Sequence, residues 1–169
     1  MKIEILCGGE FGSEQGAVAA AWNLDCPLKM FVRKNFITSN GKCEKLKFLG
    51  AEEIDSDRIR DCVKRCVDEC NGVLLFRSGN LTQTENNVRL LVGDSRPYME
   101  VDFLNPCDVR SVTVWMLSEG ITKLYVTGKM DSQNLNIYFK RTFDFMLTLI
   151  KDINREFEFA ELEKRKGLK

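Results

Sequence analysis

A chain of 169 residues is long enough for one ordinary domain with a full core, and 44% hydrophobic with 30% charged residues is a globular composition. Lys+Arg and Asp+Glu both total 25, so no net field draws the chain to nucleic acid or to an anionic membrane. No apolar run reaches the roughly 20 residues that span a bilayer, and Glu4 falls where a leader would need apolar residues. The expectation is a cytoplasmic protein with no membrane and no nucleic-acid partner.

Strand-like apolar runs alternate with helix-like segments along the chain. Ile3–Cys7 reads as a strand, Ser13–Asn23 as an alanine-rich helix and Met30–Val32 as a short strand. Asn35–Gly50, with its Thr38-Ser39-Asn40-Gly41 turn signal, reads as a loop that either lies by the predicted crevice or stands in solvent. Asp55–Glu69 reads as a helix with Asp55 at its N-cap and Asn71-Gly72 ending it in residues that tolerate positive φ. Val73–Phe76 then reads as a strand, Glu85–Val92 as an amphipathic helix and Asp94-Ser95-Arg96-Pro97 as a turn, while Tyr98–Phe103, Val109–Ser118 and Lys123–Thr127 continue the alternation. From about Asn136 onward, Phe139, Phe143, Met146, Ile150, Ile153 and Phe157 recur at helical spacing, and the charged end, 161–169, is expected to fray. This βαβ rhythm predicts a single α/β domain over 1–169, a Rossmann-like three-layer α/β/α fold with a mainly parallel sheet.

Three small polar loops carry the functional reading. Cys7-Gly8-Gly9-Glu10-Phe11-Gly12-Ser13 joins a strand to a helix, where glycines permit sharp turns and the first helical amides lack intrahelical partners. Arg77-Ser78-Gly79-Asn80-Leu81-Thr82-Gln83-Thr84 repeats that arrangement, and Val126-Thr127-Gly128-Lys129-Met130-Asp131-Ser132 follows the last strand. In a parallel sheet all three open on one edge, with Lys129 as a countercharge for phosphate. The candidate binding residues are therefore Gly8, Gly9, Glu10, Gly12, Ser13, Ser78, Gly79, Thr82, Thr84, Gly128, Lys129 and Ser132.

The chain has no histidine, which removes the commonest general base and the Ser-His-Asp and Cys-His arrangements. Glu10, Glu14, Glu85 and Asp131 are the carboxylates near the predicted crevice, although acids at helix starts also serve the helix dipole, and no catalytic residue is assigned. Cys62, Cys66 and Cys70 recur every fourth residue on one helix face and read as buried small hydrophobes rather than metal ligands. With seven cysteines, an odd number, reduced thiols are expected.

Taken together, the loops resemble those of the family named "putative molybdenum cofactor carrier", a branch of the SLOG superfamily (SMF/DprA-LOG) of Rossmann-like proteins. The resemblance runs from Ile3 to about Ile150. Gly8, Gly9 and Gly12 match a Gly-Gly-x-x-Gly-x-Asp loop, with Glu14 at the acidic position. Thr84, Asn87, Val88 and Arg89 echo a Gly-Thr loop and its helix, with Gln83 in the place of the glycine. Gly128 and Ser132 match Ala-Gly-x-Arg-x-Ser, with Met130 at the arginine position. LOG phosphoribohydrolases carry Gly-Gly-x-Gly-Thr-x-x-Glu, and in this register Asn87 takes the place of the last Glu.

The resemblance implies a domain that binds a nucleotide-derived or phosphorylated small molecule as a sensor, carrier or sequestering protein, with the cofactor unidentified beyond a nucleotide or nucleotide-derived ligand; the residues themselves, with no histidine and no soft-ligand cluster, predict no metal site. The alternative is a hydrolase cleaving an N-glycosidic or phosphoester bond of a nucleotide with a loop carboxylate, and a third reading is an interaction module with a vestigial pocket. The long last helix and apolar residues such as Trp115 point to a homo-oligomer.

Overall fold

The computed structural model describes residues 2–132 and 135–167. In chain order they form β1 (Glu4–Cys7), α1 (Ser13–Asn23), β2 (Leu28–Val32), β3 (Ile37–Thr38), β4 (Gly41–Lys42), α2 (Lys45–Phe48) and β5 (Glu52–Glu53). The second half comprises α3 (Ile59–Glu69), β6 (Gly72–Arg77), α4 (Gln83–Val92), β7 (Tyr98–Asp102), α5 (Val109–Ser118), β8 (Lys123–Gly128) and α6 (Ile137–Gly167). Six strands pair in the order β5-β2-β1-β8-β6-β7, every pairing parallel, and β3 and β4 form a separate antiparallel hairpin. The fold is α/β and Rossmann-like.

Period-two alternation along the strands splits the core into two layers. Ile5, Cys7, Met30, Val32, Leu74, Phe76, Leu124 and Val126 face one layer, shared with α1, α5 and α6. Leu6, Phe31, Val73, Leu75 and Tyr125 face the other, shared with α3 and α4. Strands buried on both faces read as near-continuous apolar runs, which is why β1, β6 and β8 were legible. Helix α1 carries no charge between Gln15 and Asn23, and its alanines and Gly16 let it lie close against α6. Cys62 and Cys66 on α3, and Cys70 directly after it, are all buried against the sheet, and all seven cysteines are free thiols.

Several element limits differ from the sequence-based expectation. Asp55 is not the N-cap of α3; its carboxylate pairs with Lys34, and the helix begins at Ile59 after Ser56 and Asp61 have bonded to each other. Asn71 does not sit at positive φ, because its side-chain oxygen accepts the amides of Thr122 and Lys123 at 3.1 and 2.8 Å and holds the chain extended into β6. Helix α4 starts at Gln83 rather than Glu85. Helix α6 runs from Ile137 to Gly167, and residues 168–169 of the charged end lie outside the described ones.

Candidate binding crevice

Strands β1, β8 and β6 are adjacent in the sheet, so the loops that follow them open side by side at its C-terminal edge. The chain winds outward from β1 to β2 and β5 on one side and from β6 to β7 on the other, with β8 added last between the two halves, and open α/β sheets bind ligands at such switch points.

In the first loop, Gly12 has φ 114°, and a Cβ there would lie 2.5 Å from the Lys129 carbonyl oxygen. The bare backbone lets the first and third loops join main chain to main chain. The Ser13 amide donates to the Lys129 carbonyl at 2.9 Å, and the Asp131 amide donates to the Phe11 carbonyl at 3.1 Å. Glu14 turns inward beneath this bridge, its Oε2 standing 2.9 Å from where a Cβ on Gly8 would be. That oxygen accepts the Glu10 amide at 2.7 Å; the other accepts the hydroxyls of Thr127 at 2.8 Å and Tyr125 at 3.3 Å. Burial first, and the Glu10 charge second, push the Glu14 carboxyl up to about 7 against the pull of these hydrogen bonds. Burial likewise drives the Cys7 thiol and the Tyr125 phenol well above their usual ranges.

The second loop ends in a capping box. Thr82 is the N-cap of α4, its hydroxyl taking the Glu85 amide while the Glu85 carboxylate takes the Thr82 amide. Glu85 is only 2% exposed. Its Oε2 also accepts the Thr82 hydroxyl at 2.8 Å and pairs with the Lys129 ammonium at 3.3 Å, whereas its Oε1 is buried without a hydrogen-bond partner among the described residues. The Lys129 ammonium donates further to the Asn80 carbonyl at 3.2 Å, tying the third loop to the second. Arg77 shapes the base of the second loop, lying 3.0 Å from the Asp102 carboxylate and donating to the Gly79 carbonyl at 2.8 Å.

Gly8, Gly9, Glu10, Gly12, Ser13, Gly79, Thr82, Gly128 and Lys129 thus lie on these joined loops. The Ser13 hydroxyl is buried without a partner among the described residues. Thr84 stands inside the first turn of α4, Ser78 directly follows β6, and Ser132 faces solvent. Lys129 is not a free countercharge, since Glu85 already neutralises it. Asp131 acts as the cap of α6, its two oxygens accepting the Tyr138 and Phe139 amides at 3.1 and 2.8 Å.

Sequence reasoning passed over Arg33 and left Asn35–Gly50 unplaced. The structure packs Ser39 and Asn40 of this stretch against the first and third loops. Arg33, just past β2, donates from Nη2 to Glu10 Oε1 at 2.8 Å, and the Ser39 amide donates to Glu10 Oε2 at 2.8 Å. The β3–β4 hairpin is held to the third loop by the Asn40 side-chain amide, which donates to the Asp131 carbonyl at 3.0 Å, and by the Ser39 hydroxyl, 3.3 Å from the Met130 sulfur. A cation at the C-terminal end of a strand, on the loop edge of a parallel sheet, was the available signal.

The family model for the circularly permutated YpsA SLOG family (cpYpsA) matches residues 5–150, most of the chain. The chain belongs to that family. Among solved structures, this cpYpsA domain is similar to a protein described as a putative molybdenum carrier protein from Syntrophus aciditrophicus SB. The two share 16% identity with a TM-score of 0.78 over 88% of this chain and 95% of the other, a likeness that establishes the fold. No match was found among curated proteins. In this cpYpsA domain Thr82 and Glu85, three apart at the start of α4, hold the cap and N3 positions. Among the described residues no helix is long and apolar enough to cross a membrane, and no cluster of acidic and thiol side chains could hold a metal ion.

Proposed function

We propose that this cpYpsA domain binds a phosphorylated, nucleotide-derived small molecule in the three-loop crevice and works as a sensor, carrier or sequestering protein. The observation that carries this reading is the junction of the loops after β1, β8 and β6 at the switch point, joined by the main-chain bridge at Gly12 and by Lys129. Membership of a SLOG family and the carrier description of the similar structure support small-molecule binding. Native mass spectrometry of the purified protein, with thermal-shift scans over nucleotides and cyclic nucleotides, tests it. A copurifying or stabilising nucleotide, lost in Gly12→Asp, is expected; no stabilisation across the panel, with Gly12→Asp behaving as wild type, overturns it.

A second reading, a nucleotide hydrolase using a loop carboxylate, is favoured by one observation: Glu85 keeps one buried oxygen without a partner while the other is fixed by Thr82 and Lys129. A substrate hydroxyl or N–H would satisfy that oxygen. Turnover of a bound nucleotide that disappears in Glu85→Gln, with binding retained, is the expected result under this reading.

A further inference from the structure

The Glu10 carboxylate occupies a place built for an acid. A guanidinium nitrogen of Arg33 and the backbone N–H of Ser39 converge on its two oxygens, each at 2.8 Å, in a site where Glu10 is 6% exposed and the Arg33 side chain 13%. A planar guanidinium beside an amide binds a tetrahedral oxyanion as readily as a carboxylate. Glu10 uses this fork only in part. Arg33 Nη1 makes a long 3.3 Å bond to the Asp57 carbonyl, and Arg33 Nε is buried without a hydrogen-bond partner among the described residues. A phosphate, with more acceptor oxygens than a carboxylate, can use the nitrogen that Glu10 leaves idle.

Two further features mark Glu10 as a replaceable occupant. Its main chain is fixed by the bond from its amide to Glu14, so its carboxylate can leave by side-chain rotation without disturbing the loop. It also lies close enough to Glu14 for its charge to raise that carboxyl, a like-charge contact that its departure relieves. The hairpin carrying Ser39 is held in place independently, by Asn40 and the Ser39 hydroxyl on the third loop. Its approach runs through Asn35 and Phe36, consecutive non-glycine residues at φ 60° and 55°, a conformation that persists only where surrounding contacts enforce it.

We propose that Arg33 and the Ser39 amide form an anion clamp at the rim of the three-loop crevice, that Glu10 is its intramolecular occupant, and that the phosphate group of a ligand takes its place. The proposal rests on the crevice reading for the identity of the whole ligand, but the clamp itself is testable with inorganic phosphate. In the 169-residue protein, phosphate affinity is measured by calorimetry and thermal shift for wild type, Glu10→Gln, Glu10→Gln with Arg33→Gln, and Glu10→Gln with Lys129→Met.

Glu10→Gln is expected to bind phosphate about tenfold more tightly or better, the scale of one charge-assisted hydrogen bond. Adding Arg33→Gln is expected to abolish the gain, and adding Lys129→Met to leave most of it. No gain in Glu10→Gln overturns the proposal, as does an Arg33→Gln double variant that binds as tightly as Glu10→Gln. If Lys129→Met removes the binding and Arg33→Gln does not, phosphate sits among the three loops, so the clamp falls and the crevice reading stands. If the clamp behaves as expected while no nucleotide binds wild type, the crevice reading falls alone. Should Glu10→Gln fail to fold, the amide resonance of Ser39 in wild type gives an independent readout. It is expected to move on phosphate titration and to stay still in Arg33→Gln; no movement in wild type overturns the proposal.

Discussion

Replacing Glu14 with glutamine isolates the cost of a buried carboxyl beneath the bridge between the first and third loops. The amide preserves the geometry: its oxygen can accept the Glu10 amide, and its nitrogen can donate to the Thr127 and Tyr125 hydroxyls, which rotate from donating to accepting. What changes is the titration. The folded protein holds the Glu14 proton up to about pH 7, whereas the unfolded chain releases it near 4.5. Between those values the unfolded state binds fewer protons, so wild-type stability falls as pH rises and levels off above about 7. At 1.36 kcal/mol per pH unit the gap amounts to roughly 3 kcal/mol, and Glu14, fully buried, gets no relief from solvent. Urea unfolding of both proteins at intervals from pH 4.5 to 8 checks this, since most other titrations cancel in the difference. The Glu14→Gln protein is expected to gain roughly 3 kcal/mol on wild type across that range, or about 6–12 °C in Tm for a chain of this size. A difference between the two proteins that stays flat with pH refutes the reasoning.

Other expectations follow from the same geometry. Gly12→Ala places a Cβ 2.5 Å from the Lys129 carbonyl at a φ of 114°, so a loss of roughly 3 kcal/mol from strain and overpacking is expected in thermal or urea unfolding, together with loss of ligand binding. Asp131→Ala removes the acceptor of the Tyr138 and Phe139 amides and is expected to cost about 1–2 kcal/mol, with faster amide exchange confined to the first turn of α6. Thiol labelling of the native protein is expected to modify Cys43 and Cys107, which are partly exposed, while Cys7, Cys26, Cys62, Cys66 and Cys70 react only after unfolding. Burial also pushes the Cys62 thiol up to about 12, which reinforces its inertness.

The scaffold was legible because its strands are buried on both faces: Ile3–Cys7, Val73–Phe76 and Lys123–Thr127 stand out as apolar runs followed by Gly, Ser and Thr. Their order alone predicted three loops on one edge. The interior of the site was less legible, because Glu14 looks in sequence like an ordinary acid at a helix start, and only the absence of a side chain on Gly8 lets it fold inward. The start of α4 was placed two residues late, at Glu85 rather than Gln83, because Gln83 and Thr84 carry no apolar periodicity and the reciprocal bond between Thr82 and Glu85 is what sets the first turn. Arg33 escaped notice and the placement of Ser39 stayed open because the hairpin carrying Ser39 has strands of only two residues, too short for any periodicity, and the contacts of Arg33 and Ser39 with Glu10 span 23 and 29 positions.

The stitching of Phe11 and Ser13 to Lys129 and Asp131 has a mechanical consequence. Those strand-like bonds make the seam above β1 and β8 stiff, so parting it would sacrifice a fragment of sheet. On the flank above β2 the hairpin is fastened by the Asn40 and Ser39 side chains, and its amide to Glu10, bonds that can be traded singly for water. If the crevice takes the proposed ligand, its exchange is expected past residues 37–42, on the hairpin flank rather than at the glycines.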